Sequence, residues 1–239
     1  MNKETIVFMG SMNAMPMMYA LELRARGYKV IYFVDAPKKD TLSRPENHFP
    51  QISYPYPEWI VEMTLPTQIL LPILPKIFSY IYLRYLRKMG VHKVDYFVLN
   101  GFYTSLAPYL PQTTQLIALS HGSDLDAWAD VDNIYKLQMG YRDRSIFKFM
   151  TTKLSDALIN MIAQRQLAGY KSVDVVMYFP IGFNEVGDKI IEKLLNIGVK
   201  YVPRYDISFE PVSQCSREFK EAGDKLGIFS GVRVLYKTF

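Results

Sequence analysis

The amino-acid sequence predicts an α/β protein built on a doubly wound, mostly parallel sheet. Two short apolar runs near the start, TIVFM (5–9) and KVIYFVD (29–35), have the composition of buried strands. An amphipathic helical segment that closes at Gly27 separates them, and the same alternation of strand and helix returns after residue 90. Strands that are apolar throughout are typical of parallel sheets covered by helices on both faces.

The first half of the chain contains one unusual segment. Gly10-Ser11 breaks the first strand, and Pro16 suits the first turn of a helix, where its missing N–H costs nothing. After the second strand, residues 36–66 hold six prolines, which predicts a long and mostly irregular segment. We expect a long helix to follow and to run to Met89.

The second half of the chain continues the strand–helix alternation. We expect strands at 95–100, 115–120, 156–160 and 173–179, a short strand at 199–202, and helical stretches between them. The helix EVGDKIIEKLLNIG should bury one face made of Ile190, Ile191, Leu194 and Leu195. The pattern predicts a first domain at 1–202, followed at 203–239 by a linker, a helix and one more strand.

Composition places bounds on function. The chain has 239 residues, a formal net charge of +5 and a pI near 9.0, which permits an anionic partner such as a phosphate-bearing ligand or a membrane surface. Its one cysteine, Cys215, excludes an internal disulfide and a thiolate metal cluster. Residues 69–83 are the most membrane-like stretch but are shorter than the roughly 20 apolar residues of a spanning helix. We expect a cytoplasmic protein without a secretory signal.

Three loops follow predicted strands at the edge where ligands bind in open parallel sheets. The first lacks the glycines of a dinucleotide fingerprint, because Met12 and Met15 stand where that motif needs glycine. Two interpretations of it stay open: contact with a phosphate or sugar hydroxyl, or a tight turn with Ser11 or Asn13 as a helix cap. The residues that we expect to bind substrate are Gly10, Ser11, Asn13, Asn100, Gly101, Ser120, Gly122 and Ser123.

The most specific of the three loops is SHGSD, residues 120–124. A histidine supplies a hydrogen-bond donor or acceptor near physiological pH, and the glycine next to it lets a ligand approach the backbone. Asp124 and Asp126 could grip sugar hydroxyls or cap the next helix. Histidines are more often structural, but the position of His121 at a strand end favours a functional role. His48 and His92 have no partner set for a metal, and we expect no metal site.

Residues 69–93 mix aromatic and basic side chains. Such a helix could lie in a membrane interface, using apolar burial and attraction to anionic headgroups. The alternative is a helix packed against the sheet with a solvated basic end. Stacking on bases is a third use of this mixture, but no nucleic-acid-binding signature accompanies it, and we expect no nucleic-acid partner.

The order of the motifs resembles that of family 4 glycosyltransferases. The run YVPRYDISFEPVSQ, followed by a helix that ends in Leu226-Gly227, is similar to the segment between the two domains of those enzymes. The opening MGSMNAMP, the element SHGSD and the runs LSDALIN and YFPIGFN are similar to family elements in the same order.

The resemblance implies the acceptor-side, Rossmann-like half of a GT-B enzyme that retains anomeric configuration and needs no metal or cofactor. A nucleotide-sugar would be the donor, and the acceptor would be a cell-surface glycan or a lipid-linked molecule in polysaccharide biosynthesis. It also implies His121 and Asp124 as catalytic residues. A lipid-linked acceptor would suit peripheral association of residues 69–93 with the membrane.

The 239 residues lack the donor-binding domain that the family carries, including its Glu-x7-Glu element. We therefore expect that this chain alone does not transfer sugar, because the leaving diphosphate would lack charge stabilisation. Three alternatives remain: a non-catalytic membrane-associated subunit of a two-chain enzyme, a nucleotide-sugar epimerase, and a stand-alone nucleotide-binding domain.

Overall fold

The computed structural model describes residues 4–205, which form one parallel sheet flanked by helices. The strands are β1 (Thr5–Met9), β2 (Lys29–Val34), β3 (Ile60–Glu62), β4 (Tyr96–Asn100), β5 (Gln115–Leu119), β6 (Val175–Tyr178) and β7 (Lys200–Pro203). Their order across the sheet is β3-β2-β1-β4-β5-β6-β7, and every neighbouring pair is parallel. This is the predicted α/β fold class. The segment predicted at 203–239 lies outside the described residues, apart from its first three.

Helices cover both faces of the sheet. They are α1 (Pro16–Ala25), α2 (Leu70–Ile73), α3 (Pro75–Lys88), α4 (Ser123–Asp126), α5 (Ile134–Tyr141), α6 (Thr152–Tyr170) and α7 (Glu185–Leu195). A 3-10 helical segment at Gly101–Tyr109 follows β4, and shorter 3-10 turns occur at Met12–Ala14, Pro45–Asn47, Val131–Asn133 and Ser145–Phe149. Within residues 4–205, every helix is too short or too polar to cross a bilayer.

The alternation of side chains along each strand divides the core into two layers. Val7 and Met9 of β1 pack in the layer that contains α3 and α7, whereas Ile6 and Phe8 pack in the layer that contains α1. A third cluster, around Trp128, joins α5 to α6. Because both faces are covered, the strands can be apolar throughout, as the sequence indicates.

One predicted strand is wrong, because residues 156–160 lie within α6. The buried side chains Ile159, Ile162, Ala163 and Gln166 recur at spacings of three and four residues, which is the period of a helix. The five-residue run DALIN is too short to reveal that period when it is read alone. Only the longer helix shows which interpretation is correct.

The proline-rich segment 36–66 is mostly irregular, as predicted, but it contains the short edge strand β3. Its anchor is Arg44, whose side chain is buried. The guanidinium donates to Glu62 Oε1 at 2.6 Å, to Glu46 Oε1 at 2.6 Å and to the carbonyl oxygen of Ala36 at 3.2 Å. These bonds tie the middle of the segment to the ends of β2 and β3.

The buried face of α7 is narrower than the sequence predicts. Ile190, Ile191 and Leu194 are buried, but Leu195 is 46% exposed. Successive residues of a helix are separated by roughly 100° of rotation, so the position after Leu194 turns out of the sheet-facing arc. Gly27 and Gly198 close their helices with φ of 83° and 91°, the left-handed conformation expected of a glycine cap.

Candidate functional site

The sheet has a switch point between β1 and β4, where the connections change direction. In such sheets a crevice opens beyond the carboxyl ends of the two strands. The loops after β1, β4 and β5 all lie at this edge, because β4 pairs directly with both β1 and β5. The structure therefore brings together the three loops that the sequence predicts as ligand-binding.

Asn100, at the end of β4, connects the three strand ends. Its side chain is buried, and its Oδ1 accepts a hydrogen bond from the backbone N–H of Met12 at 3.2 Å. Its Nδ2 donates to the carbonyl oxygen of Leu119 at 2.7 Å. One amide side chain thus holds the loop after β1 against the end of β5.

The loop after β1 requires glycine at its first position. Gly10 has φ of 97°, and a Cβ there would lie 2.8 Å from the carbonyl oxygen of Asn100 and 2.8 Å from the Tyr103 ring. Asn13 and Ala14 also adopt positive φ, of 55° and 53°. Positive φ is uncommon and strained in residues other than glycine, so tertiary contacts must maintain this backbone.

Ser11 is held inside the molecule and does not cap a helix. Its backbone N–H and its hydroxyl both donate to Asp35 Oδ1, at 3.1 Å and 3.0 Å. Asp35 Oδ2 accepts from Gln68 Nε2 at 2.7 Å. Burial raises the pKa of the Asp35 carboxyl, and the hydrogen bonds from Ser11 and Gln68 lower it in part. Asn13 is half-buried, and its backbone N–H donates to Ser43 Oγ at 3.3 Å.

The loop after β4 also approaches its neighbours closely. Gly101 has φ of 61°, and a Cβ there would meet Met12 Cε at 3.0 Å. The carbonyl oxygen of Gly101 accepts from Gln166 Nε2 of α6 at 3.0 Å. The same amide nitrogen donates to the carbonyl oxygen of Asp124 at 3.2 Å. Gln166 therefore connects the loops after β4 and β5 from below.

Asp124 organises the loop after β5. Its Oδ1 accepts from Ser120 Oγ at 2.8 Å and from the N–H of His121 at 2.9 Å, and its Oδ2 accepts from the Tyr170 hydroxyl at 3.0 Å. Burial raises the pKa of Asp124, and these hydrogen bonds lower it in part. The carboxyl group is thus directed into the turn, beneath Gly122, whose φ is 120°.

The His121 side chain lies at the carboxyl edge of the sheet and is half-buried. Its Nε2 atom is buried and has no hydrogen-bond partner within residues 4–205. Burial and, as the smaller effect, the nearby positive charge of Arg204 together lower the pKa of His121 to about 3. The imidazole is therefore neutral at physiological pH. Ser123, the first residue of α4, is exposed.

Asp126, which the sequence analysis names, lies in a second polar cluster beside this loop, but its partners Tyr178 and Asn184 were not predicted. Asp126 Oδ2 accepts from the Tyr178 hydroxyl at 3.0 Å and from Asn184 Nδ2 at 2.9 Å. Asn184 also caps α7, because its Oδ1 accepts from two backbone N–H groups of the first turn, at 3.0 Å and 3.3 Å. An asparagine before an amphipathic helix is the sequence signal that identifies it as a cap.

Arg204 is the other residue that the sequence did not single out. It is buried beyond the end of β7, where its guanidinium donates to the carbonyl oxygen of Ser120 and lies 5.2 Å from the centre of the Phe179 ring. The cation thus contacts the same loop that carries His121. The sequence signal for Arg204 is only its position just after a predicted short strand.

The arrangement suits hydrogen bonding more than metal chemistry. In the described part of the chain, no group of three or more His, Cys, Asp or Glu side chains could hold a metal ion. His48 is half-buried and its Nε2 lies 3.1 Å from the carbonyl oxygen of Thr41, whereas His92 is exposed. The carboxyl edge of the sheet instead carries a neutral imidazole, that of His121, next to the exposed Ser123 loop position.

Sequence comparisons find no relatives. No protein-family model matches the chain, and no curated protein is similar to it in sequence.

Comparison with solved structures finds glycosyltransferases among the matches. The structure of Phytolacca americana apo UGT2 superposes with a TM-score of 0.52 at 12% identity, covering 91% of this chain and 54% of that chain. The complex of UGT2 with UDP-2fluoro-glucose and pterostilbene gives 0.50 at 12% identity, covering 89% and 55%. A UDP-glucosyltransferase from Polygonum tinctorium capable of glucosylating indoxyl gives 0.50 at 12% identity, covering 90% and 54%.

The chain spans about half the length of these enzymes. At 12% identity the likeness establishes architecture, and the shared feature is the parallel sheet with helices on both faces. The residues described here therefore have the Rossmann-like α/β fold found in glycosyltransferases of the GT-B type.

Proposed function

We propose that this chain is the acceptor-side domain of a retaining, family 4-like glycosyltransferase. The enzyme would move a sugar from a nucleotide-sugar to a cell-surface glycan or a lipid-linked acceptor in the cytoplasm. The observation that carries the proposal is the meeting of three loops at the switch point of a fold shared with UDP-glucosyltransferases. The order of the motifs along the chain supports the family 4 assignment.

In this proposal His121 contacts the sugar that is transferred. A neutral imidazole can donate or accept a hydrogen bond to a sugar hydroxyl, and the lowered pKa keeps it neutral over the physiological range. Its Nε2 has no partner within residues 4–205, and a buried polar atom without a partner is costly. A sugar hydroxyl would supply that partner.

Asp124 acts through His121 and the backbone around it. Its oxygens accept hydrogen bonds from Ser120, His121 and Tyr170, so the carboxyl group holds the turn in shape. We therefore assign Asp124 as a positioning residue and keep the direct contact with the sugar for His121. Gly122 and the exposed Ser123 complete the sugar-facing side of the loop.

The loop after β1 would border the donor diphosphate and the acceptor. Gly10 lets the loop pack against Asn100 and Tyr103, and the Asn100 side chain fixes the loop by accepting a hydrogen bond from the Met12 N–H. Ser11 holds the loop to Asp35 from the inside. Charge stabilisation of the leaving diphosphate would come from a donor-side domain, in the same polypeptide or in a partner chain.

The test is a transfer assay on this chain together with its donor-side domain, whether that domain is in the same polypeptide or in a partner chain. The protein is incubated with a panel of UDP-sugars and lipid extract, and UDP release and labelled glycolipid are measured. His121→Ala should lower kcat by about 100-fold, which is typical for loss of one preorganised hydrogen-bonding group at the reacting centre. His92→Ala is the matched control, because His92 is exposed and lies outside the site.

An unchanged kcat in a folded His121→Ala protein would contradict the assignment of the site. Conversion of one UDP-sugar into another without acceptor would instead identify an epimerase. The anomeric configuration of the first product, read by proton NMR, tests whether the reaction retains configuration.

A further inference from the structure

Helix α3 carries one buried stripe and one exposed stripe. Pro75, Ser79, Tyr82 and Leu86 face the protein core. The opposite side, here called the α3 face, carries large apolar side chains that are open to solvent. They are Ile77 (53% exposed), Tyr80 (59%), Ile81 (41%) and Tyr85 (38%), and Leu74 (43%) lies just before the helix.

Basic side chains lie among these apolar residues. Arg84, Arg87 and Lys88 are exposed on the same helix, and within residues 4–205 no acidic side chain pairs with them. Between Glu62 and Asp95 the chain contains five lysines and arginines and no acidic residue. This segment therefore has a purely positive character, whereas the whole chain has 28 basic and 23 acidic residues.

We propose that the α3 face docks on an anionic lipid bilayer. Apolar side chains would enter the boundary between headgroups and acyl chains, while the basic side chains would meet lipid phosphates. The two tyrosines suit this boundary, because each has an apolar ring and a polar tip. Exposed apolar side chains are unfavourable in water, and cationic side chains are attracted to an anionic surface. Both features of this face therefore favour an anionic membrane interface.

Hydrogen bonds tie the segment that leads into α3 to the crevice and to α6. Gln68, just before α2, donates to Asp35 beneath the loop after β1. Arg165 of α6 donates to the carbonyl oxygens of Pro72 and Ile73, at the turn into α3. Docking would therefore hold the crevice near the bilayer surface, where an acceptor carried on a lipid could reach it.

A second copy of the chain is a less suitable occupant. Two copies that met by this face would bring two acid-free basic segments together, and like charges at an interface oppose association. An anionic bilayer supplies the complementary charge.

The test is vesicle sedimentation of the purified 239-residue chain without any nucleotide-sugar. Vesicles are phosphatidylcholine alone or phosphatidylcholine with about one third phosphatidylglycerol, a charge density in the range that attracts basic segments. We expect binding to the anionic vesicles, weakened by salt. Arg84→Glu with Lys88→Glu, and separately Ile77→Ser with Ile81→Ser, should each weaken binding by about tenfold or more.

The matched controls change the same charge and the same kind of apolar group elsewhere. Lys153→Glu with Lys171→Glu alters exposed lysines at the two ends of α6, and Met139→Ser alters a side chain that is 74% exposed. Both controls should bind like the unmodified protein.

Three results would overturn the proposal: no binding to anionic vesicles, an equal loss in the controls, or a dimer that Ile77→Ser with Ile81→Ser disperses in sedimentation velocity. Because the assay uses no donor, its outcome is independent of sugar transfer.

Discussion

At the scale of single residues, the pKa values of two groups at the end of β5 are shifted in opposite directions. Burial lowers the pKa of His121 and raises that of Asp124. In both cases burial disfavours the charged form. The imidazole has an unpaired nitrogen within residues 4–205, whereas the carboxyl group accepts three hydrogen bonds. This difference underlies their separate roles in the proposed mechanism.

The lowered pKa of His121 predicts a pH-dependent stability. A histidine with a folded-state pKa of about 3, against 6.5 when unfolded, binds its proton more readily in the unfolded chain. Its contribution is present above pH 6.5 and is lost as the pH falls toward 3. Between pH 7 and 4.5 the free energy of unfolding should fall by about 2–3 kcal/mol more in the unmodified protein than in His121→Asn. Urea unfolding at the two pH values measures this change in free energy for both proteins. An equal change in the two proteins would contradict the prediction.

The hydrogen bonds of Asp124 predict a large loss of stability on truncation. Asp124→Ala would leave the Ser120 hydroxyl, the Tyr170 hydroxyl and the His121 N–H without their acceptor. Leaving buried donors unpaired should lower the free energy of unfolding by about 2–4 kcal/mol in urea titration. Ser123→Ala, at the exposed neighbouring position, should change it by less than about 0.5 kcal/mol. Similar values for the two variants would count against the structural role of Asp124.

At the scale of elements, helix α6 holds the loops of the candidate site in place by hydrogen bonds. Gln166 bonds the loops after β4 and β5, and Tyr170 bonds Asp124. Gly169 lies against the 3-10 segment Gly101–Tyr109, where a Cβ would be 2.1 Å from the carbonyl oxygen of Thr104. The helix and this segment can approach so closely only because that position has no side chain.

Two glycine substitutions test this contact. Alanine favours a helix interior over glycine by about 1 kcal/mol, so in open space the change should stabilise. Gly140→Ala in α5 meets no atom within 4 Å and should raise the melting temperature. Gly169→Ala should lower the melting temperature, because backbone atoms must move to admit the Cβ. A rise in both variants would show that α6 does not pack as described.

At the scale of the whole molecule, one sheet extends through the described residues. The two tryptophans pack in different hydrophobic clusters. Trp59 packs in the layer with α1, and Trp128 packs in the cluster between α5 and α6. Arg24 lies 4.4 Å from the Trp59 ring, so that tryptophan reports on α1 and the segment that leads into β3.

A single sheet predicts a single unfolding transition. Trp59→Phe leaves Trp128 as the fluorescent reporter, and Trp128→Phe leaves Trp59. Far-UV circular dichroism is recorded on the same samples, so that each variant is compared only with itself. Within each variant, tryptophan fluorescence and circular dichroism should give the same urea midpoint. Separate midpoints would mean that the two sides of the sheet unfold independently.

The sequence alone determined the fold class, the positions of most strands along the chain and the three loops that follow strand ends. These features depend on the local hydrophobic pattern and on turn chemistry. Sequence reasoning misread residues 156–160 and missed β3, because short segments take their conformation from the partners they pack against. Only the tertiary structure decided that Asp124 is held inside its turn, that Arg204 contacts the loop of His121, and that α3 exposes an apolar and basic face. Those facts depend on contacts between residues far apart in the chain, which no local pattern records.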